Sequence, residues 1–335
     1  MTKRADDQKD EKIAVETGAF EALKFYTDNY ETLCFRNLNA KDKIDTLGSK
    51  PHKCRFCHNT KPDVNFSKDA HVIPAFIGNK VLFSYYECDD CNARFSAFED
   101  DLAKMTMGDR AVGQVPKRKG FTSLKPQGKK SSFKRGPTGV LIKQFADEGV
   151  FTIDENNSQL IIKYDTQPFR PLGAYKALAK MAYTLLPDQE LEHVEELRKW
   201  LLQTDVITQK VYADQGHWCF QTFVPGPAPF PHPIVALLKR KEPVNAPYLM
   251  FFIAFGNSSY QIFVPCPKMD QDLVGKTFNF VPYPHLYMIQ PWCVPGSLQQ
   301  GLLLLDAHER KSEPRTLNMH YDTMVKTTLP PQQTN

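Results

Sequence analysis

Apolar and polar positions keep different rhythms along the chain. From Thr17 to about Leu33, Phe20, Leu23, Phe25, Tyr26 and Tyr30 form a loose stripe at helical spacing. After Cys91, Phe95, Phe98, Leu102 and Met105 recur at intervals of three and four, which predicts a helix from Asn92. The run LGAYKALAKMAYTLLP predicts another, with Tyr175, Leu178, Ala179, Ala182, Leu185 and Leu186 on one face and Pro187 as the stop. Lys176 and Lys180 then fall on what reads as a polar face, and Asp188 stands where it would cap a further helix through Trp200 and Leu202. Residues 140–145 and 149–153 read as strands paired around a turn, and residues 159–164 as a third. Further strands are expected at 217–224, 248–255 and 259–265, with Gly256-Asn257 turning between the last two. The mixture is an α+β chain.

Composition adds limits. The chain has 335 residues, 41% apolar and 24% charged, enough to build a core without a metal holding the bulk together. No apolar run approaches the roughly 18 residues of a membrane span, and MTKRADDQKDEK lacks the apolar stretch of a signal peptide, so a cytoplasmic protein is expected. The net charge of +4 hides a concentration of base. Residues 116–135 hold Lys117, Arg118, Lys119, Lys125, Lys129, Lys130, Lys134 and Arg135 and no acid. Its Gly, Pro and Ser content reads as a basic linker or exposed loop that contacts phosphate, with Phe121 and Phe133 available to stack on unpaired bases. The organisation expected is a charged tail and helix over 1–50, a cysteine-rich module over 51–106, the linker over 107–139, a C-terminal α+β domain over 140–325 and a tail over 326–335.

Four of the eight cysteines form two pairs, Cys54-x-x-Cys57 and Cys88-x-x-Cys91, while Cys34, Cys219, Cys266 and Cys293 stand singly among apolar neighbours and read as core. In a reducing compartment the pairs point to metal. Two knuckles present four thiolates to one tetrahedral Zn²⁺ with no open position, which is a structural site. The 30 residues between them leave room for strand, turn and strand, and contain His71. On the helix after Cys91, Asn92, Ser96 and Glu99 share a face, and such oxygen ligands suit a hard cation, Mg²⁺ or Mn²⁺.

The order Cys-x-x-Cys, His71-Val-Ile-Pro, Gly78-Asn79-Lys80, then Glu87-Cys-Asp-x-Cys-Asn92 with a Phe and a Glu downstream resembles the zinc-knuckle HNH endonucleases, a ββα-metal fold, over residues 54–105. The resemblance implies phosphodiester hydrolysis of nucleic acid, DNA ahead of RNA. It gives His71 the place of the general base, Asn92 a place at the catalytic cation, and Cys54, Cys57, Cys88 and Cys91 the structural zinc. Many members carry an acid immediately before the histidine. Ala70 stands there in this chain, so Asp69, two residues before His71 and on its face of a strand, and Glu99 are the substitutes offered. Asn79 fits the family's middle asparagine poorly by spacing. The C-terminal domain shows no catalytic motif. By analogy of architecture it would sense, target or assemble, as in bacterial defence effectors, through a second copy or a regulatory partner. The rival expectation is a zinc module that binds nucleic acid or protein without cutting, which the absence of an acid before His71 favours.

Overall fold

The computed structural model describes residues 19–50, 52–135, 139–145, 147–203, 216–226, 229–274, 276, 280–284 and 298–327. Helix α1 (residues 19–29) leads directly into β1 (Tyr30–Asn37). The helix expected to reach Leu33 therefore stops early. Phe20 and Leu23 are exposed, and burial is carried by Tyr26 and Tyr30. The short strands β2 (Asp45–Leu47), β3 (Ala70–His71) and β4 (Leu82–Ser84) form one small sheet, with β4 antiparallel to β3 and parallel to β2. Helices α2 (Asp89–Met105) and α3 (Met107–Val112) follow.

Next come β5 (Ser132–Arg135), β6 (Val140–Lys143), β7 (Phe151–Asp154) and β8 (Gln159–Asp165). The expected pairing around the turn is not made: β6 pairs with β5, and β7 with β8. Leu124 and Phe133 exchange backbone hydrogen bonds of 2.8 and 3.0 Å, and Phe133 is wholly buried, so its ring is not available to a base. The lysines and arginines of 116–135 are exposed around that apolar anchor.

Helix α4 (Pro171–Leu185) and, after a 3-10 turn at Asp188–His193, α5 (Glu195–Leu202) lead into β9 (Trp218–Phe223), β10 (Phe230–Arg240), β11 (Leu249–Gly256) and β12 (Ser258–Val264). Asp188 does not cap α5, whose N-cap position is Val194. Strands β13 (Gln299–Leu304) and β14 (Pro314–His320) close the described fold. The large sheet runs β1-β10-β11-β12-β9-β13, and Gly256-Asn257 turns between β11 and β12 as expected, with Gly256 at φ +59°.

Every residue of β11 and β12 is buried because both faces of the sheet are covered. Side chains alternate between them. Phe251, Ile253 and Ile262 pack with α4, while Met250, Phe252 and Phe263 pack with Tyr26 and Tyr30 on the other side. The α4 side continues through the helix to Cys54, Phe56, Cys88, Phe95 and Phe98, so one apolar core joins the sheet to the cysteine-rich segment. A helix covered on all sides is apolar all round, and every residue of α4 is buried. Lys176 and Lys180 are therefore not on a polar surface; both lie in the interior. Cys219 and Cys266 are core residues and Cys34 is half-buried, whereas Cys293 lies outside the described residues.

Candidate active site and metal centre

The four paired cysteines converge. Their sulfurs all lie within 4.8 Å of one another, and Cys57 Sγ is 3.8 Å from Cys88 Sγ. A tetrahedral zinc with bonds of about 2.3 Å separates its sulfurs by roughly 3.8 Å; a disulfide needs about 2.05 Å. The first knuckle is a tight turn, closed by His58 N–H on the Cys54 carbonyl at 2.9 Å and Cys54 N–H on the Asn59 carbonyl at 2.9 Å. The second knuckle opens α2, with Cys88 as its N-cap.

The thiols oppose one another electrostatically. A hydrogen bond from Cys91, with amides of Cys57, Cys88 and Phe56, holds Cys54 down to about 5. Burial pushes Cys88 up to about 12, and the Cys54 contact pushes Cys91 higher still. Four sulfurs so close shed all their protons only around a cation. The donor set therefore fits a closed zinc centre, and among the described residues it is the one cluster of His, Cys, Asp or Glu close enough to share an ion.

Helix α4 grips this segment at three heights. At its start, Asp101 on α2 accepts the Arg170 backbone N–H at 3.1 Å and Arg170 Nε at 2.8 Å. A Cβ on Gly173 would stand 2.2 Å from Asp101 Oδ2, so only glycine lets the helices meet there. At its end, Arg55, between the cysteines of the first knuckle, donates to the carbonyls of Thr184 at 3.2 Å and Leu186 at 2.8 Å and to Asp188 Oδ1 at 2.7 Å. A cation among the last carbonyls of a helix satisfies groups that the helix leaves unpaired. Its guanidinium also rests 3.5 Å from the Tyr86 ring centre.

The third grip is at the histidine. Lys180 Nζ, on α4, lies 2.8 Å from Glu87 Oε2, 3.4 Å from Glu99 Oε1 and 3.4 Å from the His71 carbonyl oxygen. Glu87 is wholly buried and Glu99 mostly so. A buried lysine is tolerable only with such partners. Burial lowers its affinity for a proton, but the two carboxylates outweigh that and hold Lys180 above the ordinary lysine value. No periodicity in the sequence announces this lysine as part of the site; its helix reads as amphipathic, and only the packing reveals it.

His71 itself is half-buried on β3, its ring 4.6 Å from that of Phe83 on β4. Burial holds the imidazole below its ordinary value; Glu99 and Asp69 oppose this, while Lys180 and Arg118 reinforce it. Arg118 sits in the turn closed by Lys117 N–H on the Gly120 carbonyl at 2.9 Å, so the basic stretch reaches the electrostatic surroundings of His71.

The connection from β3 to β4 is pinned by Asn79, which is wholly buried. Its amide donates to the carbonyls of Ile73 at 2.6 Å and Leu82 at 2.8 Å, and its oxygen accepts the N–H groups of Val81 at 3.0 Å and Leu82 at 2.9 Å. Spacing alone undervalued it. A buried amide whose donors and acceptor are all engaged fixes one loop conformation, and Gly78, at φ 107°, supplies the left-handed step before it.

The remaining candidates are dispersed. Asn92 is half-buried in the first turn of α2, and among the described residues no side-chain hydrogen bond engages it. Ser96 turns its hydroxyl back onto the Ala93 carbonyl at 2.6 Å, and Asp100 pairs with Lys104 at 2.6 Å. Asp69 is exposed and lies just before β3. Lys117, Arg118, Lys119, Lys125, Lys129, Lys130, Lys134 and Arg135 are all exposed, Arg135 with its guanidinium 4.1 Å from the Phe121 ring centre. No helix among the described residues is long and apolar enough to cross a membrane.

Comparison with curated proteins and with solved structures returns no match. A family model covers the stretch that holds both the cysteine cluster and the histidine. Residues 54–107 match the HNH endonuclease family.

Proposed function

We propose that the protein is a metal-dependent endonuclease that hydrolyses phosphodiester bonds in nucleic acid, with DNA the favoured substrate and His71 the general base. The observation that carries the reading is the state of that histidine: half-exposed, desolvated enough to stay neutral, and set beside carboxylates in a frame anchored by four cysteines. A neutral imidazole accepts a proton from water as that water attacks phosphorus, and such assistance is worth about 10²–10⁴-fold. Zinc at Cys54, Cys57, Cys88 and Cys91 is structural in this reading.

A hard divalent cation, Mg²⁺ or Mn²⁺, would supply charge neutralisation at the scissile phosphate. Asn92, Glu99 and Asp69 are the residues that would hold it; an amide and carboxylates of this kind suit a cation bound by few protein oxygens and by the substrate's own phosphate. Lys180 Nζ lies 3.4 Å from Glu99 Oε1 and helps to hold that side chain in place. Lys117, Arg118, Lys119, Lys129, Lys130, Lys134 and Arg135 would hold the backbone by displacing counterions, and their exposure supports that role. A function in defence, with the C-terminal part as sensor or assembly surface, is the biological setting proposed for the cut.

The test is conversion of supercoiled plasmid to nicked and linear forms by zinc-loaded protein, with and without Mg²⁺ or Mn²⁺. Cleavage that requires the added cation and leaves 5′-phosphate ends is the expected result. Zinc-loaded, folded protein that binds DNA and never cuts DNA or RNA would establish the non-catalytic binding module instead.

A further inference from the structure

Strands β5 and β6 form a two-stranded ribbon that joins no larger sheet among the described residues. Their register sets Ser132 opposite Lys143, Phe133 opposite Ile142, Lys134 opposite Leu141 and Arg135 opposite Val140. Side chains alternate between the faces, so Phe133 and Ile142 share one and Lys134 and Leu141 the other. The first face is the anchor. Phe133 packs with Ala111 and Val112 of α3, and Ile142 lies against the same cluster. The second face turns outward. Leu141 is 50% exposed, with Lys134 across from it and Lys143 two residues along, and Val140 is 36% exposed opposite Arg135.

The ribbon is tied to the His71 segment. Arg110 on α3 donates to Thr122 Oγ1 at 3.1 Å, inside the basic stretch. The same guanidinium lies 4.8 Å from the ring centre of Phe76, in the 3-10 turn between β3 and β4. Arg135 rests on Phe121, and Phe121 pairs with Pro116 across the turn that carries Arg118. Ribbon, basic turn and histidine strand therefore belong to one packed unit.

Exposed apolar side chains on so short a ribbon call for a partner that covers them. A second copy is disfavoured, because it would set Lys134 and Arg135 against their own duplicates. Residues 116–135 hold eight cations and no acid, so charge complementarity selects a polyanion. Dimensions narrow the choice. Two strands about 4.8 Å apart, with side chains on both faces, overfill a minor groove about 6 Å wide but enter a B-form major groove of about 12 Å. The major groove of an RNA helix is too deep and narrow to admit them. Four paired residues run about 10 Å, or about three base-pair steps.

We propose that the β5–β6 ribbon enters the major groove of duplex DNA, with Leu141 against the base edges and Lys134, Arg135 and Lys143 on the flanking phosphates, a reading that deepens the nuclease assignment of the His71 site and rests on it. The thymine methyl group projects into that groove and is the natural apolar contact for a leucine. One such contact defines no sequence, so the ribbon grips duplex without specifying a site.

The experiment measures binding of the zinc-loaded full chain, without Mg²⁺ or Mn²⁺, to a short AT-rich duplex, to each of its single strands, and to the same duplex with uracil in place of thymine. The thymine duplex is expected to bind more tightly than either strand. Leu141→Ser and uracil replacement should each weaken duplex binding about fivefold, the low end for a base contact, and the two losses should not add. Lys134→Gln should lower the slope of log affinity against log salt by about 0.9, one phosphate contact, whereas Leu141→Ser leaves the slope unchanged. Zinc content and unfolding midpoint should match wild type in both variants. Duplex binding untouched by Leu141→Ser, or equal binding of duplex and single strands, would overturn the ribbon, and plasmid nicking by the same protein would spare the nuclease. Leu141-dependent binding to phosphatidylserine–phosphatidylcholine vesicles but not to duplex would also overturn it. Leu141-dependent duplex binding by a protein that never cuts would keep the ribbon and sink the nuclease.

Discussion

The four cysteines and His71 share one short segment, yet they sit in opposite kinds of surroundings. Around the cysteines almost every group is engaged. The sulfurs face one another, the knuckle amides close their turns, and Arg55 ties the loop to the end of α4. Around His71 the engagement stops short. The ring is half-exposed against Phe83, Asn92 has no side-chain partner among the described residues, and Glu87 Oε1 is buried without a hydrogen-bond partner among them. The first corner gathers a closed set of four sulfurs that one ion would complete, whereas the second is left with groups that have no partner. In the reading proposed, that difference separates a structural centre from a site prepared for something that arrives.

The largest break in the comparison should come from removing the metal. Structural zinc contributes about 10 kcal/mol or more of apparent binding energy in small zinc domains. Chelation, or Cys91→Ala, should therefore lower the unfolding transition more than any change at the histidine corner, and α2 should lose amide-exchange protection. A zinc-free protein with unchanged α2 protection would show the cluster to be dispensable.

Lys180 comes next. Lys180→Met leaves Glu87 buried and uncompensated, a loss of about 3–5 kcal/mol. Adding Glu87→Leu should restore most of it, as read by the denaturant midpoint. A double variant as unstable as the single one would mean that the lysine acts through Glu99 or the His71 carbonyl instead. Gly173→Ala presses a methyl group against Asp101 and should cost about 1–3 kcal/mol. An unchanged midpoint would show that α2 and α4 separate without penalty.

The smallest effect is one of pH. Because burial lowers the folded-state value of His71, the imidazole takes up its proton only below the ordinary histidine value of about 6.5. The base form is then present above the lowered value and lost as pH falls through it, so the cleavage rate should decline on the acid side with its midpoint below about 6.5. A midpoint above that figure would place the acids Glu99 and Asp69 in control of the histidine.

What could be read from the sequence depended on how local its cause was. Cysteine spacing, the apolar period of α2, and Gly256-Asn257 are local signals, and each led to the right element. No strand was expected over β10, which carries Pro231 and Pro233 near its start; the sheet accommodates them with a register irregularity between Phe230 and Ile234, and the Pro233 carbonyl accepts the Leu38 N–H at 2.8 Å. Lys176 and Lys180 were misplaced for a related reason. A lysine on a helix reads as solvated until the layer above it is known. Here Lys176 donates to the carbonyls of Trp200 at 2.7 Å and Gln203 at 2.9 Å, closing the end of α5. Asn79 shows the same limit, since its four hydrogen bonds go to Ile73, Val81 and Leu82, all close in sequence, but the loop that gathers them is set by β3 and β4.

The central claim, that one corner is structural and the other reactive, meets its most direct test in His71→Ala. Zinc stoichiometry, unfolding midpoint and plasmid cleavage should be measured on the same preparation beside wild type. The account predicts full zinc, a midpoint within about 1 kcal/mol of wild type as for a half-exposed side chain, and a fall in cleavage of about 10²–10⁴-fold. Cleavage undiminished in a zinc-loaded, folded His71→Ala protein would contradict it.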